Sequence, residues 1–79
     1  MNRNDKHFLQ RVGDRIRERR INLNLTQATL AEKCGLHRTF IGSVERGERN
    51  LALLSLRKIA VALRMSPAEL LTEPAASDS

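Results

Sequence analysis

Aromatic residues, prolines and cysteines are scarce in this sequence of 79 residues. It contains no Trp or Tyr, two Phe, two Pro and one Cys. Because strands favour β-branched and aromatic residues, this composition predicts a core of aliphatic side chains on close-packed helices, and so an all-α domain. The single Cys34 excludes an intramolecular disulfide and has no companions at the spacing of a zinc site, so we expect no bound metal.

Long hydrophobic runs and catalytic motifs are also missing. No stretch approaches the ~20 apolar residues of a transmembrane helix, and the N-terminal MNRNDKH is polar. We therefore expect a cytoplasmic protein without a membrane partner. The sequence shows no nucleophile–base pair, metal cluster or phosphate-binding loop, which argues against an enzyme, a catalytic residue, a cofactor or a small-molecule ligand.

Positive charge is what the sequence has in excess. Lys and Arg total 14 against 9 Asp and Glu, the net charge is +5, and eleven of the 14 basic residues are Arg. Such a balance favours an anionic partner such as nucleic acid or a membrane surface. Many soluble proteins without a nucleic-acid role are also basic, so charge alone does not decide the function.

Helical patterns cover most of the chain. Apolar residues recur at helical spacing in five segments, which we expect to form helices at about 5–21, 26–35, 38–46, 54–63 and 66–71. Only residues 1–4 and the small, polar EPAASDS from Glu73 look loose. We therefore expect a single domain over 1–79, with an ordered core at about 5–72.

Residues that begin and end helices support these boundaries. Ser66, Pro67 and Glu69 form the start signal of the last helix, as N-cap, first helical residue and partner in a capping box. Asn24 is expected to follow the first helix in a left-handed conformation, and Gly35 the second.

Residues 26–46 have the outline of a helix-turn-helix, two short helices joined by about three residues. Ala31 is small where the second helix must cross close by. The apolar positions expected to join the two helices are Leu30, Cys34, Leu36, Ile41 and Val44. A corner between two helices without function could share two or three of these features, whereas the full set favours DNA binding.

The stretch LTQATLAEKCGLHRTFIGSVERGERNLALLSLRKIAVAL resembles the helix-turn-helix of the phage repressor and Cro group, also called the XRE family. The resemblance extends over about 8–71. Within that family, RTFI…ERGERN is similar to the small controller proteins of restriction–modification systems. The resemblance implies a compact five-helix, lambda-repressor-like domain. This sequence departs from the family pattern at Thr29, where Glu is common, and at Asn24 and Arg64, where Gly is common.

A projection of residues 38–46 at about 100° per residue separates a core face from an outer face. Ile41 and Val44 define the core face. The opposite side collects Arg38, Thr39, Gly42, Ser43 and Arg46. A major groove about 12 Å wide admits a slim helix with polar side chains near its N-terminus. We therefore expect the missing side chain of Gly42 to let the helix lie deeper in DNA.

Four residues of the third helix are expected to meet bases or nearby phosphates. The guanidinium of Arg38 can pair with O6 and N7 of guanine, and Thr39 can contact a base or a phosphate. The resemblance implies DNA contacts for Phe40 and Ser43 as well. The alternatives stay open: Phe40 is also placed to join the core, and Thr39 to serve as an ordinary helix residue.

Four further residues are expected to contact the DNA backbone. Gln27 begins the second helix and matches a family Gln whose amide and helix N-terminus meet a phosphate. Arg46, Arg49 and Asn50 would hold the backbone on the far side of the groove, which adds affinity without reading sequence. For Arg49, a solvated position in a loop is the alternative.

The resemblance also implies two structural contacts. Glu45 would be unfavourable beside phosphates, and Arg20 aligns with a family Arg that pairs with this Glu, so we expect an Arg20–Glu45 ion pair. Helices 4 and 5, with Leu70 and Leu71, would form a homodimer contact in the manner of the family.

Together these features predict a sequence-specific transcriptional regulator that binds double-stranded DNA as a homodimer on a palindromic operator, as a controller protein would. The third helices of the two copies, which would enter the major groove, would lie about 34 Å apart. The alternatives are an antitoxin or phage-type repressor with the same domain and, from another class, a helix-turn-helix adaptor that binds a protein through helix 4 or 5.

Overall fold

The computed structural model describes residues 2–73, so of the tail expected to be loose from Glu73 onwards, residues 74–79 lie outside the described part. Glu73 itself pairs with Arg11. The described chain contains five helices and no strand: α1 Arg3–Asn22, α2 Gln27–Cys34, α3 Arg38–Glu45, α4 Leu53–Ala62 and α5 Pro67–Leu71. The all-α, five-helix prediction is therefore confirmed. Within the described residues, none of these helices has the length and apolar character needed to cross a bilayer.

Side-chain caps set where α1, α2, α3 and α5 begin, whereas α4 begins without one. The helix α1 starts two residues earlier than expected because Asn2 is its N-cap, with Oδ1 accepting from the Asp5 N–H at 2.8 Å. The expectation that residues 3–4 are loose is therefore wrong. Ser66 and Glu69 form the predicted capping box of α5, and the hydrogen bond from the Ser66 N–H lowers the pKa of the Glu69 carboxyl.

Four helices end in the same way, with one residue in the left-handed region. These residues are Asn24 (φ 59°), Gly35 (φ 68°), Gly47 (φ 74°) and Arg64 (φ 59°). In each turn the following N–H bonds back to a carbonyl in the last helical turn, as Met65 does to Ala60 at 2.9 Å. Glycine and asparagine tolerate this conformation, whereas Arg64 holds it at a cost of about 1 kcal/mol.

The core is aliphatic and receives side chains from all five helices. Its fully buried large residues are Ile16, Leu30, Ile41, Ile59, Leu63 and Leu70. The short helix α5 packs against both α1 and α4, and Leu70 is fully enclosed there. The expectation that Leu70 supplies a dimer contact is therefore wrong, whereas Leu71 remains half-buried at the edge of the core.

Two arginines of α1 hold the ends of α4 and α5. Arg15 Nη1 donates to the Leu70 carbonyl at 3.2 Å, and Arg19 Nε donates to the Leu63 carbonyl at 2.9 Å. Carbonyls in the last turn of a helix lack intrahelical partners, so these guanidinium groups satisfy acceptors that would otherwise depend on water. Part of the basic composition is thus committed to the fold.

The helices α1 and α3 cross at backbone contact distance, which sequence reasoning missed. A Cβ added at Gly13 would lie 2.7 Å from the Glu45 carbonyl oxygen and closer still to that of Val44. At the end of α3, a Cβ on Gly47 would lie 2.9 Å from Gln10 Cα. Glycine at these two positions lets α1 lie directly on the last turn of α3.

Gly13→Ala and Gly42→Ala test this crossing, because each replaces a helical Gly and gains about 1 kcal/mol of helix propensity. At Gly13 the new methyl would overlap backbone carbonyls, so we expect the free energy of unfolding to fall by about 1–3 kcal/mol. At Gly42 the methyl would lie 3.3 Å from Arg46 Nη1 and 3.4 Å from Gln27 Oε1, which are side-chain atoms that need to shift by only a few tenths of an ångström, so the free energy should change by less than about 1 kcal/mol. Urea denaturation followed by circular dichroism measures both. Equal destabilisation would contradict the crossing as its cause.

Candidate nucleic-acid interface

A tight turn at residues 35–37 places the N-terminus of α3 at the surface. Leu30, Cys34, Ile41 and Val44, all expected to join α2 and α3, are buried between them and the rest of the core. His37 caps α3 by accepting the Thr39 N–H on Nδ1 at 3.1 Å. The first turn of α3 is therefore ordered from its first residue, and its exposed side chains are available to a ligand.

The exposed groups of α3 lie at its two ends. Arg38 and Thr39 are exposed in its first turn, and Arg46 follows its last turn. Asn50 is exposed in the loop after it. Arg46 Nε lies 3.1 Å from Glu48 Oε2, and both side chains are more than half exposed (59% and 57%). An exposed pair of this kind contributes little stability, so Arg46 remains available to an anion.

A buried carboxylate joins three helices behind this surface. Arg20 Nε lies 2.6 Å from Glu45 Oε2, and Arg20 Nη2 lies 3.0 Å from Oε1. Gln27 Nε2 donates to the same Oε1 at 3.1 Å. These three residues, the Glu45 cluster, bring together α1, α2 and α3. The ion pair expected between Arg20 and Glu45 is thus present, with Gln27 as a third member that sequence reasoning did not include.

The ion pair of the Glu45 cluster is almost completely buried. The Glu45 side chain is 2% exposed and that of Arg20 is 11% exposed. Hydrogen bonding to this carboxylate raises the pKa of the Arg20 guanidinium, against the opposing effect of its own burial. Arg20 Nη1 also donates to the Leu25 carbonyl at 2.8 Å, which ties the turn before α2 to the cluster. The negative charge of Glu45 is therefore buried and neutralised by Arg20.

The projection predicted that Gly42 lies on an open face, and the structure shows that it does not. It is buried, and a Cβ there would lie 3.4 Å from Gln27 Oε1 and 3.3 Å from Arg46 Nη1. The reason is that the Gln27 side chain crosses α3 at Gly42 on its way to Glu45. Gly42 thus gives room to the Glu45 cluster, and the expectation that it slims a bare outer surface is wrong.

Ser43 is also buried, at 6% exposure, contrary to its predicted place on the outer face. Its Oγ donates to the Phe40 carbonyl at 2.8 Å and accepts from Arg49 Nε at 3.2 Å. The Arg49 guanidinium carbon lies 5.8 Å from the centre of the half-buried Phe40 ring. The loop after α3 folds back over the helix and covers Ser43. A projection of the helix alone does not include this loop.

A polar groove runs from α1 to the exposed end of α3. Gln10, Asp14, Arg17, Gln27, Gly42, Glu45, Arg46 and Glu48 line it. Arg17 was missed in the sequence, although its spacing of three residues from Arg20 places the two on one side of α1. The groove opens at the N-terminus of α2, where the first N–H groups of a helix favour an anion.

Nothing in the described part of the chain resembles a metal or redox centre. No three His, Cys, Asp or Glu side chains among residues 2–73 lie together as a metal site requires. Cys34 is buried, and loss of solvation raises the pKa of its thiol, which disfavours the reactive thiolate.

Comparison with known proteins gives a consistent set of relatives. A helix-turn-helix family matches residues 16–70. Control protein C.SmaI of Serratia marcescens is 51% identical over 61 residues, which are 77% of this chain and 73% of that protein. The crystal structure of the restriction-modification controller protein C.AhdI from Aeromonas hydrophila has 47% identity and a TM-score of 0.76, covering 78% of this chain and 94% of that one. The P22 c2 repressor in complex with a synthetic operator has 36% identity and a TM-score of 0.76, covering 80% and 96%.

Arg20→Met tests the role of the Glu45 cluster in stability. Because the substitution leaves a buried carboxylate without its cation, we expect the free energy of unfolding to fall by about 3–5 kcal/mol. The matched control is Arg46→Met, which breaks the exposed pair with Glu48 and should cost less than about 1 kcal/mol. Thermal unfolding of both variants measures the difference. If Arg20→Met had the same melting temperature as the wild type, the cluster would not stabilise the contacts between the helices.

Proposed function

This chain belongs to the helix-turn-helix family, and on that premise we propose that it is a sequence-specific, DNA-binding transcriptional regulator that acts as a homodimer on a palindromic operator. The observation that carries the proposal is the ordered first turn of α3, where Arg38 and Thr39 are exposed, at the opposite end of the helix from the buried Glu45 cluster. Such a protein works by binding DNA in the cytoplasm, without catalysis.

The relatives support a narrower role. Two of them are a control protein and a controller protein of a restriction–modification system, at 51% and 47% identity, whereas the P22 c2 repressor is 36% identical. We propose on this basis that the chain is itself a controller protein. A phage-type repressor is the second candidate, favoured by the match to 96% of the P22 c2 repressor chain.

The geometry suggests how the DNA contacts divide. We propose that Arg38 and Thr39, which are exposed in the first turn of α3, read base edges in the major groove. Gln27 begins α2, and its side chain is oriented by Glu45, so the first turn of α2 is fixed for a phosphate contact. Arg46 and Asn50 lie exposed beyond α3 and would contact the backbone.

The dimer contact needs a surface other than Leu70. The start of α4 exposes two large apolar side chains, Leu53 at 80% and Leu54 at 64%. A contiguous patch of exposed apolar side chains favours a surface that a partner covers. We propose that this end of α4, together with the half-buried Leu71 of α5, meets its counterpart in a second copy.

A binding titration tests the proposed function. A DNA duplex selected by the wild-type protein from a random pool should bind more tightly than random DNA by ~10³ or more at physiological salt. Fluorescence anisotropy with the two duplexes measures this ratio. A ratio near one would reject operator binding and leave the protein-binding adaptor as the better account.

Two arginines sharpen the same titration. Arg38→Ala should cost ~1–3 kcal/mol on the selected duplex and relax preference at one base position, because it removes a base contact. Arg46→Ala should weaken binding to both duplexes alike and reduce the salt dependence, because it removes a phosphate contact. The reverse pattern would show that the recognition surface has been assigned wrongly.

Leu54→Glu tests the dimer contact. A carboxylate in an apolar interface is desolvated without a partner, so we expect this variant to be a monomer at concentrations where the wild type is a dimer. The matched control is Ile21→Glu, at another exposed apolar residue (50%) on α1, which should leave the dimer intact. Sedimentation equilibrium measures both. An unchanged dimer in Leu54→Glu would place the interface elsewhere.

A further inference from the structure

Ser43 is a polar residue whose hydroxyl is fully engaged inside the protein. It is 6% exposed, donates to the Phe40 carbonyl at 2.8 Å and accepts from Arg49 Nε at 3.2 Å. A serine hydroxyl has one proton to donate, and here that proton goes to the backbone. The remaining lone pairs are the part of Ser43 that acts on another side chain, and that side chain is Arg49.

Arg49 is exposed overall but held at two points. Its Nε–H is fixed by Ser43, and its guanidinium carbon lies 5.8 Å from the centre of the Phe40 ring, within the range of a cation–π contact. No acidic side chain among residues 2–73 pairs with it. With Nε engaged, the two Nη groups are the donors left for an external acceptor pair, such as two oxygens of a phosphate or O6 and N7 of guanine.

Arg46 provides the contrast within the same segment. It is 59% exposed, and its close contact within the protein is the equally exposed Glu48. A side chain paired only with an exposed partner keeps much of its rotamer freedom and loses it on binding, whereas a side chain held by a buried partner has already lost it. The structure thus contains one arginine anchored to a buried hydroxyl and one paired with an exposed carboxylate.

We propose that Ser43 is a positioning residue, which orients Arg49 toward DNA and affects binding only through Arg49. The inference rests on the proposed function and refines it. Phe40 supports the same orientation from below the guanidinium. The serine and the aromatic ring, both expected to contact DNA directly, instead prepare an arginine that does.

A double-mutant cycle tests this positioning. Ser43→Ala, Arg49→Ala and the double variant are titrated with the duplex selected by the wild type and with random DNA. We expect Ser43→Ala to weaken binding to the selected duplex about fivefold, the effect of one lost hydrogen bond. Arg49→Ala should weaken it more, and adding Ser43→Ala to Arg49→Ala should change nothing further. Equal effects of Ser43→Ala in both backgrounds would overturn the proposal.

Three controls separate positioning from folding and from the proposed function. Urea denaturation of Ser43→Ala should show a folded protein under the titration conditions, so that weaker binding is not a loss of folded protein. The Arg49 Nε–H signal in NMR spectra of the free protein should be protected from exchange in the wild type and lose that protection in Ser43→Ala; equal exchange would also overturn the proposal. Wild-type protein that does not prefer its selected duplex rejects the regulator function itself, whereas a clear preference with additive variants rejects only the role of Ser43.

Discussion

The carboxylate of Glu45 is the constraint on which the arrangement of this domain depends. It is 2% exposed, and it is satisfied by Arg20 from α1 and Gln27 from α2 while it belongs to α3. A buried charge is tolerated only where its partners are held in place, so three helices must keep their relative positions for the site to exist. The same contacts draw the negative charge inward and leave the outer ends of α3 to Arg38 and Arg46. The contacts of Glu45 thus stabilise the fold and also keep its negative charge off the binding surface.

The arginines, which dominate the charge of the sequence, have two separate uses. Arg15, Arg19 and Arg20 donate to carbonyls or to Glu45 inside the fold. Arg38 and Arg46 are exposed around α3. Net charge therefore overstates how much of the basic composition is available to an anionic partner, and only the structure separates the two groups.

Local sequence signals predicted the frame of the molecule well, because caps and left-handed turns depend on neighbouring residues. The start of α2 after Thr26, the capping box at Ser66 and the left-handed Asn24 are examples. Predictions that needed the rest of the chain were weaker. A projection of α3 assumes one covered side, but Gln27 and the loop with Arg49 cover a second, so Gly42 and Ser43 were misplaced.

The contact of Gly13 with the carbonyls of Val44 and Glu45 has a consequence for how this protein can change its specificity. The separation of α1 and α3 is set there by backbone atoms, which are the same whatever side chains surround them. Exchange of the exposed residues of α3 therefore leaves the spacing of the two helices intact. A new operator preference can arise by substitution on the surface alone, without compensating changes in the core. In this chain, Gly13 thus allows the outer residues of α3 to change while the helix keeps its position against α1.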